Sequence, residues 1–185
     1  YNFIIPHFEK RKIEKCTLEV IEENKAAINV YKSLGFTVLR ELDCFKGLID
    51  PGTTNNELEF RRLNHADWSL FQSFWSWTPT WQNSPAASEK SLDQNEVIGL
   101  FKHNQLLAYA IYNLGTGRIL QFAIHKKHRR KGLGTELFSY ISKKARKQLS
   151  ILNVDGKANE TLGFLQSIGL KKFIKQLEME LKLSS

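Results

Sequence analysis

Cysteine and long apolar runs are both scarce in this chain of 185 residues. Its two cysteines, Cys16 and Cys44, are too few for a disulfide framework and lack zinc-ligand spacing. The longest uninterrupted apolar run, Leu106 to Tyr112, is far shorter than the ~20 residues that cross a bilayer. A composition of 42% apolar and 25% charged residues is sufficient for a packed core and argues against a disordered chain. We therefore expect a globular, cytoplasmic protein without a membrane segment or a metal site.

Acidic residues are almost absent from one basic stretch. Residues 124–148 contain nine Lys and Arg and a single acid, Glu136, so this stretch accounts for the whole net charge of +8. A localised basic patch indicates a localised anionic partner, either a phosphorylated cofactor or a nucleic acid, unless it is merely a solvated helix face. Nucleic acid is the weaker candidate, because the nearby aromatic residues Phe138 and Tyr140 fall on a predicted helix and not on an exposed sheet.

A short pattern occurs twice, with matching positions 134 or 135 residues apart. Each copy, residues 18–45 and residues 152–179, predicts an apolar strand, an Asn-initiated helix ended by glycine, and a second strand. Residues 51–56 have the Pro, Gly and small polar composition of a linker. We therefore predict a C-terminal remnant of a first unit over 1–50 and a complete second unit over 57–185. The remnant is expected to dock on the second unit or on a second copy of the chain, or to contact the missing part of its own unit.

The second unit is predicted to mix α and β structure. Strands are indicated at 57–62, in a hairpin of 97–101 and 106–112, and at 118–124, whose apolar run fits a central strand buried on both faces. One helix follows a cap at Asn64 or Asp67, and another follows residue 132. Trp77 and Trp81 fall in a loop, where tryptophans more often line a site or an interface.

A basic, glycine-containing loop lies between the apolar strand 118–124 and the helix that follows it. It reads His-Lys-Lys-His-Arg-Arg-Lys-Gly-Leu-Gly-Thr from residue 125 to residue 135. The unpaired N–H groups and positive dipole end of a helix N-terminus favour an anion, and glycines let the backbone approach it closely. The loop is not a Rossmann fingerprint, because Leu137 occupies the third glycine position, and it is not a Walker loop. It is predicted to hold a pyrophosphate.

This loop resembles the acetyl-coenzyme A motif of the GNAT-type N-acetyltransferase superfamily. The matching features are a strand ending Phe122-Ala123-Ile124, the spacing Arg129-x-x-Gly132-x-Gly134, and the later Asn159 and Gly169. The resemblance covers nearly all of 57–185 and, in the remnant, about 13–47. It implies a central mixed β-sheet flanked by helices, preceded by the C-terminal half of a second such unit.

The resemblance implies transfer of an acetyl group from acetyl-coenzyme A to an amine of a small molecule or peptide. The pantetheine arm would pair with the main chain at the end of strand 118–124, and the loop would hold the pyrophosphate. The residues implied to bind the cofactor are Phe122, Ala123, Ile124, Arg129, Arg130, Lys131, Gly132, Leu133, Gly134, Thr135 and Asn159.

The sequence departs from the family at its usual general acid, a tyrosine four residues before the later glycine. The remnant has Tyr31 at this position, before Gly35, whereas the second unit has Leu165, before Gly169. Tyr31 is therefore the candidate catalytic residue, and it belongs to the remnant. Strand 118–124 also has no Glu that could act as a general base. The alternative function is a catalytically degenerate coenzyme A-binding or interaction domain of a larger tandem acetyltransferase.

Overall fold

The structure is a computed structural model that describes residues 13–50 and 57–183, so the predicted linker 51–56 lies outside it. Its strands are β1 (Lys15–Ile21), β2 (Thr37–Gly47), β3 (Glu59–Leu63), β4 (Glu96–Lys102), β5 (Gln105–Asn113), β6 (Arg118–Ile124), β7 (Leu149–Asp155) and β8 (Lys171–Lys182). Its helices are α1 (Lys25–Ser33), α2 (Trp68–Phe74), α3 (Pro85–Glu89), α4 (Leu133–Ala145) and α5 (Asn159–Ser167). The predicted mixed α/β class is confirmed. No helix in the described ranges is long and apolar enough to cross a membrane.

The strands of the described residues form one eight-stranded sheet in the order β1-β8-β2-β7-β6-β5-β4-β3. Neighbouring strands are antiparallel except for β6 and β7, which are parallel. A strand of the N-terminal segment therefore lies between the last two strands of the chain. Strand order across this sheet does not follow strand order along the chain. The described strands of both predicted parts, 1–50 and 57–185, therefore belong to one sheet. Their assignment to two units stays a prediction.

The two copies of the repeated pattern pair with each other, because β2 of the first copy is hydrogen-bonded to β8 of the second. Leu42 pairs with Gln176, the residue 134 positions later. The register shifts by one residue at Leu39 on β2 and at Phe173 on β8, again 134 positions apart. Shifting each residue number by 134 positions therefore turns the ladder and its bulges into the same ladder, read from the other strand. This correspondence relates the two copies by an approximate two-fold axis near Leu42.

The helices cover the two faces of the sheet differently. Side chains alternate along β5, so Ala110 packs in the cluster with α4 and α5, whereas Tyr109 packs with Phe71 and Phe74 of α2. Helix α1 covers the opposite end of the sheet, where Ile28 joins a cluster from β1 and β8. The face that carries α2 is completed by the segment between α2 and β4, and this segment borders the candidate site.

Local signals in the sequence correctly set most helix boundaries. Asp67, one of the two predicted caps, accepts a hydrogen bond from the N–H of Leu70 at 3.0 Å and begins α2. The repeat is not symmetrical at its caps, because Asn24 caps α1 whereas Ala158 precedes α5 and Asn159 is its first helical residue. The predicted hairpin has its two-residue turn at His103 and Asn104, both with positive φ.

Candidate functional site

Strands β6 and β7 lie side by side only where they begin. They pair at Arg118–Ser150 and Ile119–Ile151, and within the described part of the chain no pair follows. A cleft with a cavity volume of about 560 Å³ opens where the strands diverge. Its walls come from β6, β7, the loop after β6, α5 and the segment after α2. The cleft therefore has an exposed strand edge along one side.

A bulge at Leu120 stands at the point of divergence. Gln121 pairs with Ile111 and Ile119 with Tyr112, so Leu120 is an extra residue on β6, and such a bulge bends its strand. Nothing in the sequence of residues 118–124 indicated it. The strand is central, as predicted, but Phe122 is only partly buried because β7 is no longer paired with β6 at this position.

The bulge is followed by main-chain groups that face the cleft. The N–H of His125 donates to the carbonyl of Leu107 on β5 at 2.8 Å. Alternate residues of an antiparallel strand point to the same neighbour, so the N–H groups of Phe122 and Ile124 point away from β5 and into the cleft. This edge can pair with an extended ligand that carries amide groups.

The loop after β6 ends on the open N-terminus of α4. Gly132 is the N-cap residue, with φ of 78° and no side-chain cap, so the first N–H groups of α4 have no partner within the helix. A Cβ at Gly132 would have no atom within 4 Å, whereas a Cβ at Gly134 would lie 2.7 Å from the ring of Phe164. Gly132 thus keeps the helix end open. Gly134 lets α5 pack closely on α4, a role that differs from the predicted approach to a phosphate.

Arg129 and Arg130 serve the loop in different ways. The guanidinium of Arg129 donates to the carbonyls of Ile124 at 3.3 Å and Phe74 at 2.7 Å, so it braces the loop against β6 and α2. Arg130 is exposed, with φ of 61°, and lines the mouth of the cleft. Its charge, unlike that of Arg129, has no carbonyl partner within the described residues.

Nine of the twelve residues predicted for the site line the cleft: Phe122, Ala123, Ile124, Arg129, Arg130, Gly132, Leu133, Gly134 and Thr135. Lys131 and Asn159 are exposed and are not part of this lining. Tyr31 lies on α1, where its ring packs edge-on against Phe36 with centroids 5.8 Å apart. The structure does not bring Tyr31 to the cleft, so a catalytic role for it concerns the first unit alone and stays a prediction.

Leu165, which replaces the family's tyrosine, is a core residue. It is fully buried in the cluster that contains Leu137 and Phe138 of α4. The adjacent Phe164 lines the cleft instead. The comparison of Leu165 with a general acid is therefore corrected, because a side chain at this position points into the core and not toward the cleft.

A tyrosine that the sequence did not single out lies at the opposite wall. Tyr109 lines the cleft, where its hydroxyl accepts a hydrogen bond from Nε1 of Trp75 at 2.6 Å and donates to Gln121 at 3.1 Å. Burial raises the pKa of Tyr109 far above its ordinary value, against the opposing effect of the Trp75 hydrogen bond. The phenol therefore stays protonated and holds Gln121 in place.

Arg40 ties the N-terminal segment to the wall of the cleft. Its guanidinium donates to Glu178 at 2.5 Å, to Asp155 at 2.9 Å and to the carbonyl of Thr78 at 2.8 Å. The neighbours of Thr78, Trp77 and Pro79, line the cleft, as the loop position of Trp77 predicted. Residues of β2, β7 and β8 thus fix the position of this wall through one side chain.

Glu19 on β1 is an acidic residue of this region whose pKa is shifted. It lies opposite Glu178 in the β1–β8 ladder and accepts a hydrogen bond from Gln82. Burial raises the pKa of Glu19, and the Glu178 carboxylate adds to this, whereas Thr80, Gln82 and Arg118 oppose it. Its carboxyl group therefore binds a proton more tightly in the folded chain than in the unfolded chain.

We expect Glu19→Gln to remove a pH dependence of stability. Because the folded-state pKa is raised, the contribution of Glu19 is fully present below about pH 4 and is lost as the pH rises through the folded-state value. The thermal midpoint of the variant should therefore gain on that of the wild type between about pH 4 and pH 8. Glu23→Gln, an exposed neighbour, is the matched control. A midpoint difference that does not change with pH would contradict the shift.

Comparison with known proteins identifies a family and a fold. The sequence model of the acetyltransferase (GNAT) family matches residues 60–169, more than half of the chain. No curated protein matches the sequence significantly. Residues 60–169 include β6, the loop, α4 and α5, so the match covers the cleft.

Three solved structures illustrate the similarity. A Drosophila protein is 21% identical, with a TM-score of 0.65 over 92% of this chain and 61% of its own. A GCN5-related N-acetyltransferase from Kribbella flavida is 13% identical, with a TM-score of 0.69 over 100% of this chain and 74% of its own. A tandem GNAT protein from the clavulanic acid biosynthesis pathway is 10% identical, with a TM-score of 0.65 over 99% of this chain and 68% of its own. At these identities the similarity shows the fold alone, and the chain spans less than two thirds of the Drosophila protein.

Proposed function

Because this chain belongs to the GNAT acetyltransferase family and is therefore an acyltransferase, we propose that it transfers an acetyl group from acetyl-coenzyme A to an amine. The observation that carries the proposal is the divergence of β6 from β7 beside the open N-terminus of α4. Coenzyme A has the matching shape: an extended arm with two amides, joined to a pyrophosphate. The strand edge suits the arm, and the helix end suits the anion.

The residues present fit the cofactor along the length of the cleft. The N–H groups of Phe122 and Ile124 would pair with the amides of the arm, and those of Leu133, Gly134 and Thr135 in the first turn of α4 would hold the pyrophosphate. The empty space at Gly132 leaves room for phosphate oxygens. Arg130 adds positive charge at the mouth, and the exposed Lys131 adds charge next to it in the chain. Bound acetyl-coenzyme A would supply an acyl carbon activated by its thiolate leaving group.

The amine would enter between the strand edge and the wall formed by Trp77 and Pro79. An amine must lose a proton before it attacks, and the departing sulfur must gain one. Helix α5 offers no tyrosine for the second step, but a thiolate is a fair leaving group and water can protonate it. Tyr109 and Gln121, which are hydrogen-bonded to each other, would shape this end of the cleft.

Calorimetric titration with coenzyme A tests the binding half of the proposal. We expect wild-type protein to bind and Gly134→Val to bind at least about tenfold more weakly, because the new side chain displaces the Phe164 ring toward the cleft. Gly115→Val, in a turn remote from the loop, is the control and should bind as the wild type does. Wild-type protein that gives no binding heat, or a Gly134 variant with unchanged affinity, would contradict the assignment of the cleft.

Turnover is tested separately by the thiol released from acetyl-coenzyme A in the presence of amines. Release that depends on the amine supports acetyl transfer. Binding of coenzyme A without release for any amine of a broad panel would favour the alternative, a coenzyme A-binding domain without activity.

A further inference from the structure

Two tryptophan rings border the cleft without an aromatic partner. Trp75 and Trp77 both line it, and both are only partly buried. Other aromatic residues nearby are paired: Phe71 is stacked on Tyr109 with ring centroids 3.7 Å apart, and Trp68 meets Phe71 edge-on at 6.0 Å. Within the described residues, neither Trp75 nor Trp77 forms such a ring pair. The two indoles therefore offer unpaired aromatic surface to a ligand in the cleft.

Each of these indoles is held in place by the protein on its other side. Nε1 of Trp75 donates to the hydroxyl of Tyr109 at 2.6 Å, and its ring packs against the cluster that contains α2. Trp77 packs instead against the cluster that contains α4 and α5. Because the N–H of Trp75 is already used, this residue has only its apolar ring left for a ligand. Partly buried apolar side chains add to the lining: Pro79, Leu120 and Leu152.

The cleft lacks a counter-charge for a second ammonium group on the acceptor. Among its described lining residues the one carboxylate belongs to Glu160, which lies 3.7 Å from the guanidinium of Arg129. Arg130 adds a further cation to the lining. The two carboxylates that bind Arg40 do not line the cleft. Because a charge that leaves water without a partner is strongly disfavoured, the cleft selects against an acceptor with two positive charges.

The same lining favours the neutral form of the reacting amine. Removal from water disfavours the charged ammonium form and lowers the pKa of an amine. An amine must lose its proton before it attacks, and β6 carries no Glu that could accept this proton. An apolar acceptor side would therefore assist a deprotonation for which β6 supplies no base.

We propose that the acceptor is an amine that carries an aromatic ring and no second positive charge, and that this ring lies against Trp75 and Trp77. The proposal rests on the proposed function, in which the coenzyme A arm pairs with β6 and the amine enters beside this wall. Aromatic rings pair favourably with indoles, stacked or edge-on, and gain further from the apolar area that they bury. The two tryptophans would determine specificity and would take no part in the proton transfers.

The test is a calorimetric titration of three matched amines into the full chain saturated with coenzyme A, which has no acyl group to transfer. The amines are phenylethylamine, butylamine as the analogue without a ring, and phenylethylamine with an aminomethyl group on its ring as the diammonium analogue. We expect phenylethylamine to bind wild-type protein at least about tenfold more tightly than either of the others.

Trp77→Ala should reduce the preference for phenylethylamine over butylamine about fivefold, because it removes one of the two ring surfaces. Trp81→Ala is the matched control, since it removes the same side chain from the same segment. Trp81 is 53% exposed and does not line the cleft, so this variant should keep the preference.

Ser76→Asp tests the charge argument, and its result does not depend on whether Trp77→Ala folds. Ser76 is exposed and lines the cleft, so a carboxylate there should raise the affinity for the diammonium analogue about threefold. Ser73→Asp, which is also exposed but lies outside the lining, should leave this affinity unchanged.

The amine titrations are repeated without coenzyme A, because the wall is made by the protein alone. Failure of coenzyme A to bind would contradict the proposed function, and the amine comparison would still decide the acceptor proposal. Equal affinity for phenylethylamine and butylamine, no binding of either, a preference that survives in Trp77→Ala, or a diammonium affinity unchanged by Ser76→Asp would overturn it. Benzoyl-coenzyme A that binds more tightly than acetyl-coenzyme A, with no difference among the amines, would place the ring on the acyl group and would also overturn it.

Discussion

Replacing Arg40 with methionine is expected to lower the free energy of unfolding by about 3 kcal/mol. The side chains of Arg40, Glu178 and Asp155 are only 16%, 5% and 16% exposed, so the loss leaves two carboxylates partly buried without their cation. Glu19 lies opposite Glu178 and adds like charge. The carbonyl of Thr78 also loses its donor. Urea denaturation at constant slope measures the loss.

Arg62→Met is the control for this prediction. Arg62 also belongs to an ion pair, with Glu96 at 3.7 Å, but its side chain is 68% exposed. Solvent screens such a pair, so the control should lose less than about 1 kcal/mol. Equal losses in the two variants would mean that Arg40 contributes no more than a surface charge.

Leu165→Tyr should also lower the free energy of unfolding, by roughly 2–4 kcal/mol, and should not improve catalysis. The side chain of Leu165 has no exposure and packs against α4. A tyrosine there adds volume to a filled core and buries a hydroxyl among apolar groups. The substitution that sequence comparison suggests as a repair of the active site is thus expected to damage the fold. Urea denaturation and thiol release measure both effects.

Leu165→Met tests whether the loss comes from volume and polarity. It conserves volume and adds no polar group, so it should lose less than about 1.5 kcal/mol. A Leu165→Tyr variant that keeps wild-type stability and releases thiol faster would show instead that the side chain at this position reaches the cleft.

The Arg40 expectation concerns the dependence of the cleft on the N-terminal segment. Strand β2 lies between β7 and β8, and Arg40 of that strand fixes the wall at Thr78. Glu19 of β1 accepts a hydrogen bond from Gln82, which follows this wall in the chain. The wall of the cleft at Trp77 and Pro79 is therefore held in place by residues that precede position 50, although the residues that line the cleft all follow position 73.

The sequence by itself determined the proposed cofactor side of the cleft. A contiguous strand, loop and helix carry it, and each has a local signal: an apolar run, a basic stretch and glycines at a helix start. Local geometry follows from local residues, so Gly132 and the N-terminus of α4 lie where the sequence placed them. The repeat was also visible, because its strands and glycine stops recur 134 or 135 positions apart.

Only the tertiary structure decided the proposed acceptor side of the cleft. Glu178 alternates with Leu177 and Met179, a pattern typical of a strand with one solvated face. That face is instead covered by the segment after α2, and Glu178 is buried against Arg40 from 138 residues earlier. Alternation reveals that two faces differ, but not what packs on the polar one. The bulge at Leu120 and the core position of Leu165 are likewise set by neighbours distant in sequence, since the pairing of strands and the rotation of a packed helix depend on contacts that no local pattern contains.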